Sequence, residues 1–212
     1  MKAILIEDRV YRQKNILGEK LDVLNNFSSL KNISGGKEFN DIVQKFDNKE
    51  FALLETYSVI MLHRSAFDTS TRNSLIEFLS KSKKKLVFFS GGITGSQISK
   101  ISSLEFLLIN VNQFYSENLF YFLNNGAQNL LELAFGKDWQ LSNLIDAFEK
   151  LVLYSKSFNN QQPYTRIEED LMLNSWVKDN YFKELQQKSL VDRSELLKVS
   201  ANIQRDLEKL LR

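Results

Sequence analysis

Four uninterrupted apolar runs constrain this chain more than any other feature: "AILI" at 3–6, "VIML" at 59–62, "LVFF" at 86–89 and "FLLI" at 106–109. A strand with one wet face alternates apolar and polar residues. A run of four without a break belongs instead to a strand covered on both faces. Parallel sheets sandwiched between helices meet that condition. A fifth candidate, "LKNI" at 30–33, is half polar and suits an edge strand.

Helical patterns lie between these runs. Phe39, Ile42, Val43 and Phe46 share one face of a helix. "TSTRNSLIEFL" opens on capping residues and carries Leu75, Ile76 and Leu79 on one side. "SENLFYFLNN" starts at Ser116 and stops before Gly126, a good left-handed terminator. The alternation predicts an α/β domain over residues 1–127. Its core would be a five-stranded parallel, doubly wound sheet with right-handed crossovers. The fourth and fifth strands are joined by residues 90–105, which leaves room for only a small or irregular helix.

Beyond Gly126 no strand signal returns, and residues 128–212 are predicted to form an all-helical C-terminal region. Leu141, Leu144, Ile145, Phe148, Leu151 and Val152 form an amphipathic stripe with Asp138 placed to cap it. "SFNNQQPY" at 157–164 holds the only proline and reads as a linker. "TRIE" at 165–168 matches a capping box in which Thr165 caps and Glu168 reaches back. It predicts a long helix running toward Lys188. A last helix over 193–211 carries Leu196, Ile203, Leu207 and Leu210. That stripe either packs back on Trp176 and Leu185 or offers itself to a partner helix. Ser200 and Asp206 interrupt strict heptads.

Composition narrows the chemistry. The chain has 212 residues, a net charge of +2 and no cysteine. The charge is too small to point to nucleic acid or an anionic membrane. The missing cysteines remove disulfide and thiolate chemistry and fit a reducing, cytoplasmic setting. "MKAILIED" lacks the shape of a signal peptide, and no apolar run approaches the roughly 20 residues that span a bilayer. "KSKKK" at 81–85 closes a helix, where lysines complement the dipole, and no basic recognition helix follows.

Residues 1 to about 125 resemble the receiver domain of response regulators, which has a flavodoxin-like fold. "KAILIED" resembles that family's first strand, with Glu7 and Asp8 as its acidic pair. "YSVIMLH" resembles the third strand, which ends on the phosphate-accepting aspartate. "KKLVFFSG" resembles the fourth, with Ser90 at the hydroxyl position. The resemblance implies a Mg²⁺ held by carboxylates, an aspartate that attacks a phosphoryl group, and a hydroxyl and a lysine that hold the product. This chain departs from that set twice. His63 stands at the acceptor position, and the fifth strand, "FLLINVNQ", offers Asn110 where the family has Lys-Pro.

The resemblance therefore implies a pseudo-receiver: a non-catalytic regulatory or adaptor protein that acts through protein–protein contacts. Its partner would be another protein or a second copy of the chain, with no nucleic acid and no membrane. Phe114, Tyr115, Phe120 and Tyr121 are the expected interaction surface. No residue is expected to be catalytic. Glu7, Asp8, Ser90 and Asn110 form the degenerate pocket, and Glu7 and Asp8 remain the candidate Mg²⁺ ligands. His63 is read first as a hydrogen-bonded strand-end residue, then as a phosphorylated or metal-binding imidazole, or as a pH-responsive contact. The alternative function is Mg²⁺-dependent phosphate binding or phosphotransfer through Glu7, Asp8, Ser90 and His63. "SGGITGSQ" at 90–97 could cradle phosphate with backbone N–H groups, but it matches neither common glycine-loop spacing.

Overall fold

A computed structural model describes residues 2–158 and 160–212, so Asn159 of the polar stretch lies outside the described residues. The chain divides into two compact units, Met1–Lys137 and Asp138–Arg212. The division falls beyond the expected boundary at 127, because a further helix, Leu130–Phe135, packs within the first unit.

The first unit is α/β. Strands β1 (Ala3–Glu7), β2 (Leu30–Ser34), β3 (Val59–His63), β4 (Lys85–Ser90), β5 (Ser96–Ile101) and β6 (Leu104–Asn110) form one sheet in the order β2-β1-β3-β4-β6-β5. The sheet thus has six strands, where five were expected. The difference is β5, which pairs antiparallel with β6 in the segment expected to hold a short helix. Ile98 is its only buried residue, while Gln97, Lys100 and Ile101 are exposed, as suits a strand at the edge of the sheet. The other pairings are parallel.

The helices of this unit are α1 (Val10–Leu17), α2 (Lys20–Asn25), α3 (Gly36–Asp47), α4 (Thr69–Ser80), α5 (Val111–Phe114), α6 (Glu117–Asn124) and α7 (Leu130–Phe135). All five residues of β1 and of β3 are buried. On one face Ile4, Ile6, Ile60, Leu62, Leu86 and Phe88 pack with Ile42 and Phe46 of α3 and Leu75 and Leu79 of α4. From the other face, Phe89 stacks on Phe114 of α5, with centroids 4.1 Å apart and planes within 3°. Two covered faces explain why the strand sequences are apolar without a break. Asp68 caps α4 by accepting from the Thr71 N–H at 2.6 Å. Gly35, after β2, has φ +58°, and a Cβ there would meet Val10 Cγ2 at 2.9 Å, so only glycine fits. Its N–H donates to the Glu7 carbonyl at 3.0 Å, which ties the end of β1 to the end of β2.

The second unit is helical, with α8 (Trp139–Ser157), α9 (Tyr164–Leu171), α10 (Ser175–Val177) and α11 (Arg193–Leu210). Leu144, Leu151, Ile167, Phe182, Leu196, Ile203 and Leu207 share its core, with Trp176 packed against it. The α11 stripe thus faces inward, except Leu210, which is exposed. The long helix expected after residue 165 is absent. The chain enters a left-handed conformation at Met172 (φ 45°), restarts at Asn174, whose side chain caps Val177, and continues as a π turn over Lys178–Phe182. Across the break Ile167, Leu171, Val177 and Phe182 all reach one core. Pro163, not Thr165, occupies the cap position of α9, and Glu168 pairs with Lys178. A true capping box stands at Asp192 and Glu195. No helix among the described residues is long and apolar enough to cross a membrane.

Candidate functional site

Parallel strands β1 and β3 run side by side, so their last residues arrive at the same edge of the sheet. Ligands of open α/β sheets bind at this carboxyl edge. Glu7 closes β1, Asp8 follows it, and His63 closes β3. One ligand atom from each of the three lies within 4.8 Å of the others. The sequence had selected these three residues, and the structure brings them together.

A residue the sequence reading passed over joins them. Arg12, on the first turn of α1, points Nη1 between the two carboxylates. It donates to Glu7 Oε1 at 2.6 Å and to Asp8 Oδ1 at 2.9 Å. The Arg9 N–H adds a bond to Glu7 Oε1 at 3.2 Å, and the Arg9 side chain lies 3.5 Å from Asp8 Oδ2. Arg12 follows Asp8 by four residues, but Asp8 precedes α1, so no shared helix face announced the pair.

Glu7 is fully buried, and its second oxygen is also occupied. Tyr115 donates its hydroxyl to Glu7 Oε2 at 3.0 Å. Gln13 donates to the Tyr115 oxygen at 3.1 Å and to Asn32 Oδ1 at 3.0 Å. A chain of polar groups thus runs from the acidic pair to strand β2. Burial pushes the Glu7 carboxyl up to about 8, reinforced by hydrogen bonding with Asp8 and opposed by Arg12. Burial acts on Asp8 in the same sense. There it is outweighed by the hydrogen bond to Glu7 and by positive charge, which together hold Asp8 below the usual range. The pair behaves as one acid and one carboxylate bound to one guanidinium, close to neutrality in sum.

His63 is 2% exposed and packs edge-on against Phe89 at 5.4 Å. Burial pulls its imidazole down to about 4, against the pull of Asp8 and with help from Arg12 and Arg9. It is therefore neutral near pH 7. Its Nδ1 lies 3.1 Å from Asp8 Oδ1 and 2.9 Å from Ser65 Oγ. With Asp8 anionic, electrostatics assigns the ring proton to Nδ1, where both oxygens accept it.

The remaining predicted residues sit elsewhere. Ser90 and Asn110 pair across β4 and β6 at the same edge. Both are engaged locally: the Ser90 hydroxyl oxygen accepts from the Gly92 N–H at 3.4 Å, and Asn110 caps α5 while donating to the Ile93 carbonyl at 2.8 Å. Asn110 thus anchors the glycine loop. The expected interaction surface needs correction. Phe114 and Tyr115 are buried, Phe114 by stacking on Phe89 and Tyr115 by its hydroxyl bonds to Glu7 and Gln13. Tyr115 therefore belongs to the acidic pocket. Phe120 is half-buried beside Phe27, with centroids 6.3 Å apart, and Tyr121 is half-buried.

The donor set suits a divalent cation poorly. Mg²⁺ needs near-octahedral oxygen ligands and keeps several waters. Here Glu7 Oε1 and Asp8 Oδ1 are both committed to a guanidinium, and Glu7 Oε2 accepts from Tyr115. Set against family models, curated proteins and solved structures, the chain matches none of them.

Proposed function

We propose that the chain is a non-catalytic regulatory or adaptor protein. It is built on a degenerate receiver-like, doubly wound domain and acts through protein–protein contacts. The observation that carries this reading is Arg12 Nη1 bonded to both acidic residues at 2.6 and 2.9 Å. A guanidinium takes the place a bridging cation would need, and it cannot be lost by deprotonation. At the acceptor position stands a buried, neutral imidazole whose Nδ1 is already hydrogen-bonded. Acyl-phosphate formation needs a carboxylate there and a cation beside it. The pocket in this reading is a structural joint that fixes α1, β1, β3 and the segment after β6 in one arrangement.

Incubation with acetyl phosphate and Mg²⁺ tests it. Intact-mass spectrometry is expected to show no added phosphoryl group, and titration calorimetry no heat at millimolar Mg²⁺ or Mn²⁺. The clustering of Glu7, Asp8 and His63 is what favours the opposing phosphotransfer reading. Addition of one phosphoryl group, abolished in His63→Ala, would establish that reading and end the adaptor proposal.

A further inference from the structure

A groove of about 550 Å³ opens beside Asp8, between α3 and the segment after β3. It is lined by Asp8, by α3 residues Phe39, Asn40, Val43, Gln44 and Asp47 with Asn48, and by Ser65 and Ala66 after β3. The volume lies within the range of ordinary ligand sites.

Two carboxylates, three side-chain amides and a hydroxyl line this groove, and no lysine or arginine does. An anion would have no charged partner there. Gln44, Asp47 and Asn48 come from the last turn of α3 and its C-cap, where the helix dipole presents partial negative charge. Asp8 already holds Arg12 and Arg9, so Asp47 supplies most of the available charge. Thr71 donates its hydroxyl to Asp47 Oδ1 at 2.9 Å, which fixes the carboxylate and leaves Oδ2 for a ligand. Phe39, Val43 and Ala66 add an apolar wall. That combination matches a long side chain with a cationic head and an aliphatic stem. A guanidinium fits it best: it can bond a carboxylate through two N–H groups, donate to amide oxygens and lie over an aromatic face.

We infer that this groove is the docking site for an arginine side chain of a protein partner. The inference deepens the adaptor reading by naming the chemistry of one contact. The site borders the Arg12-bound pair and shares Asp8 with it, and it is opposite in charge preference to a phosphate pocket.

The probes are short capped peptides with a single arginine, lysine or glutamate between glycines, and methylguanidinium alone, titrated into the full chain. Amide chemical shifts provide the readout. The arginine peptide is expected to bind at the order of millimolar, as a largely exposed contact should, and to shift the amides of α3 and of Ser65 and Ala66. Asn40→Arg places a cation at the groove from an exposed helix position and is expected to weaken binding about tenfold. Asp47→Asn keeps the acceptor for Thr71 and is expected to weaken it severalfold. Raising salt from about 0.05 to about 0.5 M should weaken it further. Equal binding of the glutamate peptide, no shifts from the arginine peptide, or an unaffected Asn40→Arg variant would each overturn the inference. Methylguanidinium binding as tightly as the peptide would assign the groove to a free small cation and overturn the partner side chain. The acetyl phosphate experiment reads the acidic pair and not the groove, so either proposal can fail alone.

Discussion

Each unit of the molecule contains a tyrosine hydroxyl bonded to a carboxylate, and the two pairs behave oppositely. In the α/β unit Tyr115 donates to Glu7 at 3.0 Å, both side chains are buried, and the Glu7 carboxyl rises to about 8. In the helical unit Tyr181 donates to Asp206 at 3.0 Å near the surface, and the Asp206 carboxyl falls below its ordinary value. Lys209, at 2.7 Å, gives the largest pull there. One hydrogen bond at one length thus accompanies opposite shifts. Desolvation decides the sign in the first case and hydrogen bonding to a solvated ammonium in the second.

The largest test of this contrast is removal of the buried cation. Arg12→Ala leaves Glu7 and Asp8 without their shared donor and should cost about 3 kcal/mol, as for one partner of a buried ion pair. Urea unfolding measures it; a loss below about 1 kcal/mol would mean the pocket is solvated and the contrast false. If the variant still folds, its affinity for Mn²⁺ should exceed that of the parent. Next in size is Tyr115→Phe, which strips a donor from a buried carboxyl and should cost about 1–3 kcal/mol. Tyr181→Phe in the helical unit should cost about 1 kcal/mol or less, because water replaces the lost partner. Equal costs for the two tyrosines would erase the distinction.

Protonation sharpens it further. Glu7 is raised from 4.5 to about 8, so its contribution is complete below 4.5 and is lost as pH rises through 8. His63 is lowered from 6.5 to about 4, so its contribution is complete above 6.5 and is lost as pH falls through 4. The two slopes oppose one another between 4.5 and 6.5. From 6.5 to 8 only Glu7 acts, and unfolding free energy should decline across that window. Glu7→Gln should flatten the decline, and an unchanged slope would place the titration elsewhere. The smallest expected effect is at the exposed pair. Asp206 is lowered, so what it contributes is present above its unfolded value and is lost in acid. Lys209→Ala should change stability at pH 7 by under about 1 kcal/mol.

The legible parts of the sequence were those where one physical demand acted alone. Strands β1, β3 and β4 declared themselves because their central residues are buried on both faces, and β6 because Leu107 and Ile109 are buried while Phe106 and Leu108 pack half-buried against the core. β5 did not, since "SQISKI" buries only Ile98 and has a length that also fits a short connection. The strand-end residues Glu7, Asp8 and His63 could be found from where apolar runs stop. Arg12, Gln13 and Tyr115 could not, because each is assigned by a partner distant in sequence or on the next element. Tyr115 lies 108 positions from the carboxylate it serves, and an isolated aromatic cluster reads equally as surface or as core. In the helical unit "TRIE" and "DRSE" carry the same local signal. Only the second is used, because Pro163 had already set the start of α9.

The added strand β5 has a consequence for how the sheet comes together. β6 follows it in the chain but lies between it and β4. β5 therefore cannot be laid onto a finished edge unless β6 is already in place. The β5–β6 ladder closes through the two residues Ser102 and Ser103, while every other ladder joins strands separated by a helix or by another strand. Loop closure favours the local ladder first, so the two strands should arrive at β4 as a ready-made hairpin. Ser102 holds φ 55° at its tip. Replacing it with glycine should quicken folding more than it slows unfolding, which would mark this turn as an early event in the assembly of the domain.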